Sequence, residues 1–147
     1  MKVSLGSDHR GYELKEQLKK FLSEAGYEVN DEGTSSSSSA DYPVYAEKVA
    51  LRVSSGKSDK GILLCGSGFG MCMAANKVRG IRAAAVLRPE DAALTVRHNN
   101  TNILCLGADS VSFKEASSAA EKFLGAEFEG GRHARRVNQI KELEAKH

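Results

Sequence analysis

Short apolar runs alternate along the chain with longer segments in which apolar residues recur every three or four positions. The first pattern is typical of β-strands, and the second is typical of helices with one buried face. The clearest strand is GILLC, a run without polar side chains of the kind found in sheets that are covered on both faces. The five predicted strands are Lys2–Ser7, Tyr27–Asn30, Gly61–Cys65, Arg82–Leu87 and Asn102–Leu106.

Helical patterns follow each of these strands. The first places Leu14, Leu18 and Leu22 on one face and ends at Gly26. Strands that alternate with helices form βαβ units, which give a parallel sheet with helices on both faces. We therefore predict an α/β fold, a Rossmann-like three-layer α/β/α sandwich with a five-stranded parallel sheet. A second helix is predicted to start at Asp41 and Pro43 and to carry Tyr45, Val49, Ala50 and Val53. The later helices are predicted at Met71–Val78, from Pro89, at Phe113–Leu124, and beyond Gly130 and Gly131 with Val137, Ile140 and Leu143 on one face.

Composition and charge narrow the class of protein. A length of 147 residues fits one domain spanning 1–147, and 41% hydrophobic with 27% charged residues is ordinary for a globular protein. A net charge of +2 gives no reason to expect nucleic acid or an anionic membrane as a partner. No apolar run approaches the roughly 20 residues of a membrane span, and the N-terminus lacks the apolar core of a signal peptide. We expect a cytoplasmic protein.

A glycine-rich loop directly follows the clearest strand. It reads Gly66-Ser67-Gly68-Phe69-Gly70 and leads into a helix, so its backbone N–H groups can face an anion. It lacks the last glycine of the dinucleotide fingerprint and the Gly-Lys-Ser/Thr ending of a phosphate-binding P-loop. A tight turn without ligand is the alternative. An oxyanion or phosphate cradle explains three glycines in five residues better.

Three cysteines, with no C-x-x-C pair, disfavour a disulfide framework or a zinc site. Cys65 ends the strand before the glycine loop, where N–H groups at the helix start would stabilise a thiolate that acts as base or nucleophile. A small buried side chain is the equal alternative for Cys65. Cys72 and Cys105 are predicted to serve packing alone.

Further polar residues lie at the expected ends of elements. Asp8 and His9 follow the first strand, where they could bind a ligand or cap the next helix. His98 and Asn99 come just before the fifth strand, at the edge of the sheet opposite Cys65, and would reach that site only through helix orientation or from a partner subunit. Arg132 and Arg136 are i, i+4 neighbours that could grip one phosphate. Tyr42, beside Pro43, suits loop packing or ligand contact.

Five segments together resemble the type B ribose-5-phosphate isomerases, a family that also includes galactose-6-phosphate and allose-6-phosphate isomerases. They are SDHRGYELK, DYPVYA, GILLCGSGFGMCMAANKVRGIRAA, RHNNTNIL and FEGGRHARR, and the similarity runs from about Val3 to Glu144. The resemblance implies an aldose–ketose isomerase of the pentose phosphate pathway that interconverts ribose 5-phosphate and ribulose 5-phosphate without metal or organic cofactor. It also implies a homodimer or tetramer that uses the C-terminal helix in dimerisation and shares active sites between subunits.

The resemblance further implies a role for each candidate residue. Cys65 would move a proton between C2 and C1 through a cis-enediolate, whose oxygens the backbone of Gly66, Gly68 and Gly70 would hold. The remaining roles would be ring opening by Ser67 and His98, binding of sugar oxygens by Asp8, contact of Asn99 with the hydroxyls near C1, and phosphate binding by His9, Arg132 and Arg136. Tyr42 is a further substrate-binding candidate without a more specific role.

Two departures from the family pattern bear on these roles. Position 67 is Ser where threonine is common, which keeps the hydroxyl, and Met71 stands where some members place a glutamate base, which leaves Cys65 as the base candidate. Arg88 and the run Ser35–Ser39 match no family motif. Three alternatives remain: a hexose-phosphate isomerase of the same family, a non-catalytic nucleotide- or flavin-binding module, and an RNA-binding or scaffold protein.

Overall fold

The computed structural model describes all residues 1–147 and contains one five-stranded sheet with six helices. Every strand pairing is parallel, and the strand order is β2-β1-β3-β5-β4. The α/β sandwich with a five-stranded parallel sheet is confirmed. The elements in chain order are β1 (Lys2–Ser7), α1 (Tyr12–Glu24), β2 (Glu28–Asp31), α2 (Tyr42–Ser54), β3 (Lys60–Cys65), α3 (Phe69–Ala75), β4 (Ala83–Ala85), α4 (Asp91–Asn99), β5 (Ile103–Gly107), α5 (Phe113–Gly125) and α6 (Arg132–Lys146).

Two apolar layers cover the two faces of the sheet. On one face, Leu14, Leu18 and Leu22 of α1 pack with residues of α4 and α5. On the other face, α2 and α3 form a second cluster. Alternate residues of β3 point to opposite layers, because successive side chains of a strand face opposite sides. This double burial explains why GILLC contains no polar side chain.

Several predicted boundaries were wrong by a few residues. Strand β4 spans Ala83–Ala85 instead of Arg82–Leu87, since at the edge of the sheet it pairs with β5 alone. Helix α3 begins at Phe69, inside the glycine loop, and ends at Ala75 instead of Val78. No helix is both long and apolar enough to cross a bilayer.

Helix α6 lies at the outside of the molecule. Of its side chains only His133 and Val137 are buried, and the helix packs against α4. Ile140 and Leu143, which the sequence places on the same apolar face as Val137, are 46% and 57% exposed. The outer part of this apolar face therefore has no covering within one chain.

Candidate active site

The strand order creates a crevice between the carboxyl ends of β1 and β3. The chain leaves β1 for α1 on one face of the sheet and leaves β3 for α3 on the other face. Ligands of open α/β sheets bind outside the strand ends at such a switch point. Asp8 directly follows β1, and its N–H donates to the carbonyl of Leu64, 3.2 Å away, the residue before Cys65. The fold therefore brings Asp8 and Cys65 together.

A cavity of about 160 Å³ opens in this crevice. This volume is smaller than the roughly 300–1,000 Å³ of common small-molecule sites. Six of the residues that the sequence singled out line it, and the seventh, Arg10, escaped notice although it directly follows Asp8 and His9. The lining residues are Asp8, Arg10, Tyr42, Cys65, Gly66, Ser67 and Gly70.

The sulfur of Cys65 lies at the base of the glycine loop. The N–H of Gly68 donates a hydrogen bond to Sγ over 3.1 Å, and the residue is only 4% exposed. Gly68 has φ +82°, a left-handed conformation that glycine adopts without strain, and it starts helix α3. The sulfur is therefore buried and at the same time in contact with the backbone of the glycine loop.

The remainder of the loop is packed closely around the cavity. Ser67 is exposed, and its hydroxyl accepts a hydrogen bond from the N–H of Phe69 over 3.2 Å. The ring of Tyr42 lies over Gly70, where an added β-carbon would come within 2.7 Å of the ring. Tyr42 thus packs on the loop and faces the cavity at the same time.

Asp8 is 5% exposed and both shapes the backbone and faces the cavity. Its Oδ1 accepts hydrogen bonds from the N–H groups of Arg10 and Gly11, at 3.0 and 3.1 Å, in the turn before α1. The neighbouring His9 contacts Ala40 through Nδ1, which lies 3.2 Å from the N–H and 3.3 Å from the carbonyl oxygen of that residue. His9 does not line the cavity with Cys65.

The other predicted site residues gather at the opposite end of the sheet, where the strands begin. His98 and Asn99 end α4, just before β5 begins, and the ring of His98 stacks on that of His133 with centroids 4.2 Å apart. Burial lowers the pKa of His133, and the neighbouring His98 and Arg132 lower it further, whereas the carboxylate of Glu129, 3.7 Å from Nε2, raises it. Arg136 also lowers this pKa. A basic cluster of His98, Arg132, His133 and Arg136 thus forms, and of its members His133 had no predicted role.

This cluster and the Cys65 cavity cannot meet within one chain. Gly61 pairs with Ile103 at the start of β5, and Cys65 pairs with Gly107 at its end. These ends lie about 13 Å apart, because a parallel strand rises about 3.3 Å per residue. His98 precedes β5 and so lies beyond the far end. The structure therefore divides the predicted site residues into two separate groups.

Two other cysteines lie behind the loop, outside the cavity. Cys105 is fully buried, as packing requires. Cys72 is half-buried, and a hydrogen bond with Cys105 lowers its pKa to about 7. The sequence contained no signal for this pairing, since the two residues belong to a helix and to a strand that meet only in the fold. Arg88 forms an ion pair with Asp91 at 2.9 Å, and Ser35–Ser39 are exposed.

Comparison with known proteins agrees with this architecture. A family model described as Ribose/Galactose Isomerase matches residues 3–140. The chain is 46% identical to ribose-5-phosphate isomerase B of Escherichia coli (strain K12) over 97% of its length and 96% of that protein. The structure of Clostridium thermocellum ribose-5-phosphate isomerase B superposes with a TM-score of 0.98 at 49% identity, covering 99% of both chains.

A second solved structure adds a ligand. Ribose-5-phosphate isomerase B from Mycoplasma genitalium, described with bound ribulose 5-phosphate, superposes with a TM-score of 0.95 at 40% identity. The match covers 99% of this chain and 97% of that one. Similarity of this extent in sequence and in fold leaves no part of the sheet or of the cavity outside the match. The chain belongs to the ribose/galactose isomerase family.

Proposed function

We propose that this protein interconverts ribose 5-phosphate and ribulose 5-phosphate, with Cys65 as the catalytic base. The observation that carries the proposal is the hydrogen bond of 3.1 Å from the Gly68 N–H to the Cys65 sulfur at the wall of a polar cavity. The chain shares this fold with relatives named for that reaction, one of which holds ribulose 5-phosphate. Residues 1–147 would act as one isomerase domain. A cytoplasmic location stays a prediction.

The proposed chemistry is a proton transfer between adjacent carbons. The Cys65 thiolate takes the proton from C2 of the open-chain aldose, and the electron pair of that bond forms the C1–C2 double bond of a cis-enediolate. The π electrons of the C1 carbonyl move onto O1, and the O2 proton passes to O1. Return of the proton from Cys65 to C1 then re-forms the carbonyl at C2 and gives the ketose. Backbone N–H groups of the glycine loop would stabilise the enediolate oxygens, a kind of contact whose loss costs roughly 2.7–4 kcal/mol in other enzymes.

The remaining candidates would prepare and hold the substrate. Ser67 and His98 would open the furanose ring, and Asp8, whose Oδ2 accepts no hydrogen bond from the chain, would bind sugar hydroxyls together with Tyr42 and Asn99. His9, Arg132 and Arg136 would bind the phosphate. Because His98, Asn99 and both arginines lie at the other edge of the sheet, these roles require a partner subunit.

A homodimer with shared active sites is accordingly part of the proposal. Two observations support it besides the division of the site residues: the cavity is small, and large apolar side chains lie exposed. Phe69 and Met73 of α3 are 49% and 67% exposed, and Ile140 and Leu143 of α6 are similarly uncovered. Scattered exposed apolar residues are ordinary, but apolar faces of two helices favour burial against another chain.

A coupled assay tests the reaction directly. Ribulose 5-phosphate formation from ribose 5-phosphate is followed in the presence of a metal chelator, with Cys65→Ala as the variant. We expect turnover by the unmodified protein and a loss of about 10²–10⁴-fold in kcat for the variant, the range that general bases supply. Near-normal turnover by a folded Cys65→Ala protein would refute Cys65 as base.

The family model names galactose as well as ribose isomerases, so a six-carbon substrate is the second candidate. Galactose 6-phosphate and allose 6-phosphate are therefore run beside the pentose in the same assay. Turnover of a hexose phosphate alone would keep the proposed mechanism and change the substrate. If the protein turned over none of the three sugar phosphates, the proposed reaction would be refuted.

A further inference from the structure

Arg10 is the one cationic side chain among the residues that line the Cys65 cavity. Its guanidinium group lies flat against the glycine loop: a β-carbon added to Gly66 would be 2.6 Å from Cζ of Arg10 and 2.7 Å from Nη1. The backbone N–H of Arg10 is held by Asp8 over 3.0 Å. Both ends of the residue are thus fixed beside residues of the proposed active site.

Asp109 fixes the guanidinium from the other side. It follows β5, its N–H donates to the carbonyl of Gly66 over 3.0 Å, and its carboxylate forms an ion pair with Nη2 of Arg10. A guanidinium group has five N–H donors, so pairing through Nη2 leaves the donors on Nη1 and Nε free. The Arg10 side chain is 56% exposed and lines the cavity, so a ligand there can reach the guanidinium group.

We propose that Arg10 binds the phosphate group of the substrate, from the same chain that supplies Cys65. This inference rests on the proposed function. Among the groups of a sugar phosphate, the dianionic phosphate is the strongest partner for a guanidinium, whose planar donors match two of its oxygens. The cavity also contains the carboxylate of Asp8, so Arg10 supplies the positive charge that an anionic substrate needs there.

Arg10 would come from a different subunit than the two arginines already assigned to the phosphate. Arg132 and Arg136 lie at the far edge of the sheet and would reach the cavity only from a partner subunit. Arg10 is already in place within a single chain, anchored by Asp8 and Asp109 before any partner arrives. Phosphate binding should therefore depend on residues of both subunits.

The test compares Arg10→Ala with Arg88→Ala as matched control. Arg88 is likewise an exposed arginine that is ion-paired to an aspartate, and it does not line the cavity. The readouts are the Kd of inorganic phosphate by titration calorimetry, and KM and kcat for ribose 5-phosphate. For Arg10→Ala we expect Kd and KM to rise about tenfold to a hundredfold, the loss of one charge-assisted hydrogen bond, with kcat within about twofold. Arg88→Ala should match the unmodified protein.

Removing Arg10 also leaves the Asp109 carboxylate unpaired near the phosphate, so a double variant is needed. If Arg10→Ala with Asp109→Ala still binds phosphate at least tenfold more weakly, the direct contact is supported. Recovery of normal affinity in the double variant would assign the effect to repulsion by Asp109 and overturn the proposal.

Three further results would also overturn it: phosphate affinity unchanged in Arg10→Ala, a fall in kcat with unchanged phosphate affinity, or an equal loss in Arg88→Ala. Calorimetry separates this proposal from the proposed reaction. A protein that does not turn over ribose 5-phosphate, but loses phosphate affinity when Arg10 is replaced, would refute the reaction and keep the phosphate contact.

Discussion

Mixing two inactive variants provides the sharpest test of a shared active site. Cys65 and His98 belong to opposite edges of the sheet, separated by at least the roughly 13 Å between the ends of β5. Reacting groups must approach within about 3–3.5 Å, so a histidine that assists the reaction at Cys65 has to come from another subunit. In a dimer with shared sites, Cys65→Ala therefore inactivates the cavity of its own chain, whereas His98→Asn inactivates the cavity of the partner chain.

The expected magnitude follows from counting sites. In a mixed dimer one site combines Cys65→Ala with His98→Asn, while the other site receives normal Cys65 and normal His98. Random exchange makes about half of the dimers mixed, so about a quarter of the wild-type sites should reappear in an equal mixture. The assay is ribose 5-phosphate turnover after the two differently tagged variants are refolded together.

Two controls make the result decisive. Each variant refolded alone gives the baseline, and circular dichroism checks that both fold. Activity of the mixture at the mean of the two baselines would show that Cys65 and His98 do not act across subunits, and the shared site would have to be abandoned. Substantial activity of His98→Asn alone would instead remove His98 from the ring-opening role.

Three other predictions concern packing and the second thiol. Gly68→Ala should lower the melting temperature more than Gly80→Ala. Both positions have φ near +85°, which costs an alanine about 1–2 kcal/mol, but only at Gly68 would a β-carbon also press on β5, 3.0 Å from its backbone. Equal shifts in melting temperature would contradict the argument. Leu18→Ala, fully buried between α1 and the sheet, should lower the free energy of unfolding by about 2–5 kcal/mol in urea titration, and a loss below about 1 kcal/mol would show that the site collapses around the gap. Cys72, with a pKa of about 7, should react with iodoacetamide at a rate that rises with pH and is half-maximal near pH 7, since the thiolate is the nucleophile. A midpoint at or above about pH 8.5, the ordinary value for a free thiol, or the same labelling in Cys72→Ser, would refute the lowered pKa of Cys72.

Local patterns were enough to identify the layers of this protein. The uninterrupted run GILLC, the helical spacing of Leu14, Leu18 and Leu22, and the glycines after strands all reflect interactions between residues near in sequence. Such interactions determine whether a segment becomes a helix or a strand. Local patterns do not determine where an element ends, because hydrogen bonds to distant segments decide it. Strand β4, for example, consists only of the three residues that pair with β5.

The glycine loop and Cys65 were also visible in sequence, since strand, loop and helix follow one another directly. Their arrangement with Asp8 was not, because it depends on β1 and β3 being neighbours in the sheet. Arg10 gained its place only when Asp109, almost a hundred residues away, was brought beside it. Cys72 and Cys105 similarly met only through the packing of α3 on β5.

The sequence by itself determined which kind of sheet the chain forms and offered most of the polar residues that could act beside it, although not Arg10. Side-chain chemistry and local periodicity are properties of short segments, so both follow from the order of the residues alone. Only the tertiary structure decided which of those residues face one cavity, because strand order and crossovers set distances between segments far apart in the chain. It separated His98, Arg132 and Arg136 from Cys65 by the length of a strand. That separation is the physical reason why a second subunit belongs in the proposed mechanism.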